Sequence, residues 1–122
     1  VERAKEKLIA QAKDVNGVKV ITAVLPLDAA SAKDLVFKIR QAVPENLLCV
    51  IGTESAGKPM LSVMLSEDMV NSHNLNAGQM VREAARLISG GGGGQPHYAT
   101  AGGKNADGLS SAVDKVVELA KL

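Results

Sequence analysis

A chain of 122 residues with 46% apolar side chains has the length and the core material of one compact domain. One Tyr, one Phe and no Trp leave Val, Leu, Ile, Ala and Met to build the core, and they argue against an RRM-like or OB-like reader of single strands, which needs several stacking rings. A formal net charge of +1 gives no global field for nucleic acid, yet residues 1–40 hold 8 Lys or Arg against 5 Asp or Glu, residues 41–81 hold 1 against 4, and residues 82–122 hold 5 against 4, so a polyanion is expected at the first and last thirds.

Residues 1–17 (VERAKEKLIAQAKDVNG) read as the C-terminal end of a linking helix that Gly17 caps. Its apolar positions are few (Leu8, Ile9 and Ala12), and Glu2 to Lys7 form a solvated face, so the helix over 1–14 is expected to project or dock loosely. The chain opens directly into this charged pattern, as a piece of a longer protein would. Residues 18–122 are the globular part. Val18–Leu25 is β-branched strand sequence stopped by Pro26. Ser31 with Asp34 resembles a capping box, and Leu35, Ile39 and Val43 then fall on one helical face, widened by Val36, as far as Pro44. Leu47–Gly52 is a continuous apolar run, as expected of a strand buried on both faces.

That strand, helix and strand form a βαβ unit with a right-handed crossover. The polar turn TESAGK leads through a hairpin into a third strand, Pro59–Leu65, and a short helical turn is expected at Glu67–Val70. Asn76 with Gln79 caps a helix to about Ile88, whose buried side carries Met80, Val81, Ala84, Leu87 and Ile88. Leu109, Ala112, Val113, Val116, Val117 and Ala120 mark a final amphipathic helix. The prediction is an α/β domain: a small mixed β-sheet with packed helices over 31–43, 76–88 and 106–121, one βαβ unit plus a hairpin, preceded by an N-terminal linking helix. Tyr98–Ala101 is a candidate edge strand.

Several features carry no chemistry. Cys49, alone inside LLCVIG, reads as a buried structural thiol; no disulfide or zinc set can form within the chain, which suits a reducing, cytoplasmic setting. No apolar stretch is long enough to cross a membrane, and no signal peptide is recognisable. GTESAGK at 52–58 nearly matches a phosphate-binding P-loop, but Pro59 replaces the Mg-binding hydroxyl and a strand follows where a helix is needed, so it reads as a polar hairpin turn. His73 and His97 have no metal-ligand spacing. Glu67, Asp68 and Asp28 read as cap and turn residues, and no nucleophile–base set is present.

The most informative segment is SGGGGGQPHYATAGGK at 89–104. Seven of the 12 glycines lie between Gly90 and Gly103, more than a helix C-cap needs, and the surplus costs backbone entropy. Bare successive N–H groups can form a concave anion site, whereas Gln95, Pro96, His97 and Tyr98 argue against a flexible linker. The expected phosphate-facing surface is therefore an ordered loop of Gly90, Gly91, Gly92, Gly93, Gly94, Gln95, His97, Gly102, Gly103 and Lys104. Arg82 and Arg86, four apart on the preceding helix, either extend it or are ordinary solvated residues. Tyr98 is either a ring for stacking on a base or ribose or a half-buried support of the loop.

GGGGGQPHYATAGGK resembles the Gly-rich signature near the end of bacterial alanyl-tRNA synthetases: a glycine run, a basic residue, Pro, two variable residues, then Ala-Gln-Ala-Gly-Gly. The DHH-associated domain of RecJ-type phosphoesterases shares that signature, and AGQMVREAARLISGG resembles the helix leading into it. The resemblance covers about Val18 to Leu122. Gln95 departs from the usual basic residue and Thr100 from the usual Gln, so Lys104 and backbone N–H groups are left to contact phosphate. The resemblance implies a module that binds and positions alanine-specific tRNA beside the parent's other domains, without catalytic residues of its own. The parent would be an ATP-dependent alanine–tRNA ligase, with ATP, Mg and zinc confined to other domains and no cofactor here. The alternatives are the substrate-phosphate-binding domain of a DHH-family phosphoesterase and a homodimerisation module.

Overall fold

A computed structural model describes residues 2–15, 17–26, 28–43, 45–55, 57–72 and 75–119. The readings of Pro44, His73 and Ala120 lie outside those residues, as do the side chains of Glu2 to Lys5. In chain order the elements are α1 (Glu2–Ala10), β1 (Lys13–Val15), β2 (Val18–Leu25), α2 (Ala29–Ala42), β3 (Leu47–Ser55), β4 (Lys58–Leu65), α3 (Glu67–Ser72), α4 (Ala77–Ala85), β5 (Gly91–Gly94), β6 (Tyr98–Gly102) and α5 (Leu109–Leu119). Short 3-10 turns at Arg86–Ile88 and Ala106–Gly108 continue α4 and introduce α5.

The strands form one six-stranded mixed sheet in the order β1-β2-β3-β4-β6-β5. Only β2 and β3 are parallel, joined through α2 as the predicted βαβ unit, and β3 turns back into β4 as the predicted hairpin. Because β3 lies inside the sheet with helices on both faces, its side chains alternate between two cores. Leu47, Cys49 and Ile51 join Leu35, Val36 and Ile39 of α2, while Leu48 and Val50 join Val81, Ala84 and Val113 of α4 and α5. A Cβ on Gly52 would stand 3.0 Å from side-chain carbons of Leu109 and Val113, so α5 seats directly on β3 there. The near P-loop is the β3–β4 hairpin itself: Ser55 pairs with Lys58, and Gly57 turns the chain at φ +76°.

Three local expectations change. The first helix stops at Ala10, and Lys13–Val15 folds back on β2, with the Asp14 carboxylate accepting the Gly17 N–H at 3.1 Å. An Asn-Gly pair ahead of a β-branched run is hairpin chemistry, and it overrides the helical reading of Lys13 and Asp14. Gly17, at φ +85°, belongs to that turn and not to a helix C-cap. Of the two expectations for the first helix, projecting or docking, the structure shows docking, with Leu8 buried in the α2-side core. Finally, α2 begins at Ala29: Asp28 is its N-cap and accepts the Ser31 N–H at 2.8 Å, bonds to Ser31 that hold its carboxyl below the usual range. Asp34 instead pairs with Lys38 at 3.4 Å.

Of the other acidic residues, Asp68 accepts the Asn46 N–H at 2.9 Å, tying α3 to the entrance of β3, and Glu67 lies 3.9 Å from Arg40. No helix among the described residues is long and apolar enough to cross a membrane. Burial pushes the Cys49 thiol up to about 12, far above the range in which a thiolate forms at neutral pH. Incubating the folded chain with a thiol reagent at pH 8 is therefore expected to leave Cys49 unmodified for as long as the fold persists, with rapid modification once denaturant is added. Rapid labelling of the folded chain would place Cys49 outside the core.

Candidate nucleic-acid interface

The glycine run is a strand, where an ordered loop was expected. Gly91–Gly94 pairs antiparallel with Tyr98–Gly102 and forms the sheet edge, which moves Tyr98–Ala101 one place inward. Glycine has no side chain to pack and a low strand propensity, so neither periodicity nor propensity marks this element. Its reason is proximity. A Cβ on Gly92 would overlap the Thr100 carbonyl and the Ala101 Cα, and one on Gly90 would overlap the Gly102 carbonyl. A Cβ on Gly94 would stand 2.7 Å from the Tyr98 carbonyl oxygen and 2.8 Å from the Ala99 Cα. Gly103 is held as closely against the Ile88 carbonyl. Gly91 and Gly102, by contrast, face open space.

Both ends of this hairpin are pinned. At the turn, the Gln95 N–H donates to Tyr98 at 2.9 Å, the Pro96 carbonyl accepts the Ala77 N–H at 2.8 Å, and the His97 carbonyl accepts the Leu65 N–H at 2.7 Å. His97 thus holds the turn through its backbone, with its side chain half-exposed. At the other end, Ser89 takes the left-handed conformation at φ 54°, the Gly90 N–H donates to Ala85, and the Lys104 N–H donates to Ile88 at 2.8 Å. The Gln95–Tyr98 bond sets the ladder alternation, so the polar groups of Gly90, Gly92 and Gly94 point away from β6. Gly90 uses its N–H on Ala85, and the Gly94 peptide lies against Gly78, where a Cβ would be 3.2 Å from the Gly94 oxygen. Helix α4 therefore runs along the strand, and the Gly92 peptide remains uncommitted between those two contacts.

The predicted site residues consequently form a track. Gln95 and His97 lie at one end of a four-residue strand and Gly90, Gly103 and Lys104 at the other, roughly 13 Å apart at a strand's usual rise. Arg82 comes to the middle, its guanidinium 3.6 Å from where a Cβ on Gly93 would be. Arg86 follows Ala85 and so stands at the Gly90 end, exposed. Arg82, Arg86 and Lys104 form no ion pair among the described residues.

Two residues missing from the sequence-derived set stand on the other side of the strand. Lys33 and Phe37 of α2 line a hollow of about 390 Å³ with Gly93, Gly94, His97 and Tyr98. The Phe37 and Tyr98 ring centroids are 5.0 Å apart, tilted by 58°, and burial raises the Tyr98 phenol above its ordinary range. A readable signal existed: Phe37 falls off the Leu35, Ile39 and Val43 stripe, so its ring is expected at the edge of the core and not inside it, and the structure leaves it half-buried there.

Residues 17–122 match the DHHA1 domain. The chain belongs to the DHHA1 domain family. This DHHA1 domain is 54% identical over 116 residues to a protein of Bacteroides fragilis named alanine–tRNA ligase, a match covering 95% of this chain and 13% of that protein. It thus spans about an eighth of the length of such relatives. Its fold matches the C-Ala domain of Aquifex aeolicus alanyl-tRNA synthetase with a TM-score of 0.78 at 22% identity, over 91% of this chain and 98% of that one. It also matches, at a TM-score of 0.60 and 20% identity, 16% of a Thermus thermophilus RecJ solved with Mn2+, a match covering 98% of this chain. The resemblance to synthetase C-terminal domains is borne out by these relatives and by the fold.

The packing separates structural glycines from open ones. Gly92→Ala is expected to lower stability by about 1–3 kcal/mol, the usual cost of overpacking, because the new methyl group meets backbone. Gly91→Ala, whose methyl group meets nothing, is expected to keep or raise stability, by up to about 1 kcal/mol. Denaturant titration of both variants checks this, and equal stabilities would contradict the close approach.

Proposed function

We propose that this DHHA1 domain is the C-terminal domain of an alanine–tRNA ligase and that it holds the body of the tRNA while the ligase's other domains act on that same tRNA. The observation that carries the reading is the exposed, side-chain-free β5 with Arg82 beside it and Lys33 and Lys104 close by. Bare backbone lets a phosphate approach amide N–H groups that a side chain would screen, and the guanidinium and ammonium groups, which form no ion pair among the described residues, can receive it. Relatives named alanine–tRNA ligase at 54% and 53% identity favour a ligase parent over a RecJ-type one, since the RecJ likeness is one of fold.

In this reading Arg82 and Lys104 contact backbone phosphates and position the RNA, without reading its sequence. With Gln95 in place of a basic residue, few cations converge, so binding is weak and falls as salt rises, because counterion release drives it. The chain itself performs no step of aminoacylation. ATP, Mg and zinc, where the parent uses them, belong to its other domains.

The test is a tRNA titration at several salt concentrations. Wild type is expected to bind, with affinity falling linearly on a log–log plot. Arg82→Ala and Lys104→Ala should each weaken binding across sequences and reduce that slope by about 1. Folded variants that match the wild type in affinity and slope would move the contact away from β5.

A further inference from the structure

We propose that the hollow between α2 and the β5–β6 hairpin is a nucleotide subsite that takes one unpaired base of RNA against the Phe37–Tyr98 ring pair, with its phosphate at Lys33. This inference rests on the tRNA-binding reading and adds selectivity for looped over fully paired RNA. The motivating fact is placement. The chain contains one Phe, one Tyr and no Trp, and its two rings, from separate elements, meet each other half-buried at the rim of the α2-side core, each with part of its surface open to the hollow. A ring pair tilted by 58° with centroids 5.0 Å apart is a preformed platform whose ordering is already complete before a ligand arrives.

The surroundings suit a nucleotide. A hollow of about 390 Å³ lies in the size range of small-ligand sites and is far too small for a duplex. Lys33 precedes Phe37 by four residues on α2, so ammonium and ring share one helical face, and Lys33 forms no ion pair among the described residues. Gly94 forms part of the wall without a side chain, which lets a flat base come close to the backbone. Gln95 and His97 also line the hollow. The Gln95 amide offers both a donor and an acceptor, so the residue that departs from the family's basic position suits a base edge better than a phosphate. A phosphate alone would gain nothing from the rings, and stacking accepts any base because every base has a π-face.

Tyr98 is the sole Tyr and there is no Trp, so tyrosine emission reports on this hollow alone. The experiment titrates the chain with two RNAs sharing one stem, one closed by an unpaired loop and one a blunt duplex, correcting emission for RNA absorbance. Affinities are read from labelled RNA, and melting curves verify the fold of each variant. The looped RNA is expected to bind about tenfold more tightly, as one stacked base implies, and to quench Tyr98. Phe37→Leu and the rim variant Lys33→Gln should lose most of that preference, with Phe37→Leu retaining duplex affinity and Tyr98→Phe retaining the preference. Equal wild-type affinity for the two RNAs, or a preference that survives in both Phe37→Leu and Lys33→Gln, overturns the subsite while leaving tRNA binding intact. Quenching by a polyglutamate peptide equal to that by the looped RNA reassigns the hollow to an acidic polypeptide and overturns it too. Failure to bind tRNA or either probe removes the underlying reading along with the subsite.

Discussion

The backbone of Gly91–Gly94 lies so close to Tyr98–Gly102 that a methyl group on Gly92 would overlap the Thr100 carbonyl, and this end of the molecule is built around that contact. Each glycine in a strand gives up roughly 0.5–1 kcal/mol relative to Ala through its larger unfolded-state entropy. The approach is retained because it lets α4 lie along the sheet edge, with Gly78 against Gly94 and Ala85 bonded to Gly90. Met80, Val81, Ala84 and Ala85 are thereby buried over Ala99 and Ala101, and each large side chain so buried stabilises by about 1.5–3 kcal/mol. Small side chains on β6 and no side chains on β5 are two sides of one fit.

The same strand organises the chemistry. An edge strand with free polar groups invites pairing with another chain, and here α4 takes up part of that edge. What stays open is narrow: the Gly92 peptide, the exposed faces of Gly91 and Gly102, and the side chains reaching in from two helices. Arg82 comes from α4 on one side and Lys33 with Phe37 from α2 on the other, so charge converges locally in a chain whose net charge is only +1. A weak, salt-dependent contact is the natural property of such a surface.

Elements specified by side-chain pattern were legible in the sequence. The β-branched run of β2, the doubly buried run of β3, the Asn76 cap of α4 and the stripe of α5 all stand where periodicity places them. Elements specified by backbone were not. Strand β5 has no pattern to read, and its partner's approach is a tertiary fact. Lys13 and Asp14 continue a helical composition, yet the turn through Gly17 folds them onto β2. The candidate site divides in the same way: Gly90–Gly94, Gln95, Lys104 and Arg82 were accessible from composition and spacing. Lys33 and Phe37 lie about 60 positions from the glycines and reach them only through the βαβ crossover.

The central claim is that nucleic acid meets the chain along β5 and not elsewhere. Backbone amide shifts of isotopically labelled protein, followed while tRNA is added, test it most directly, because every glycine of the strand reports separately. The account predicts progressive shifts at Gly91, Gly92, Gly93, Gln95 and Thr100, with smaller ones at Lys33 and Arg82, while α1 and β1 stay unchanged. Shifts gathered on α1 and β1, with the β5 glycines unmoved at saturation, would contradict it.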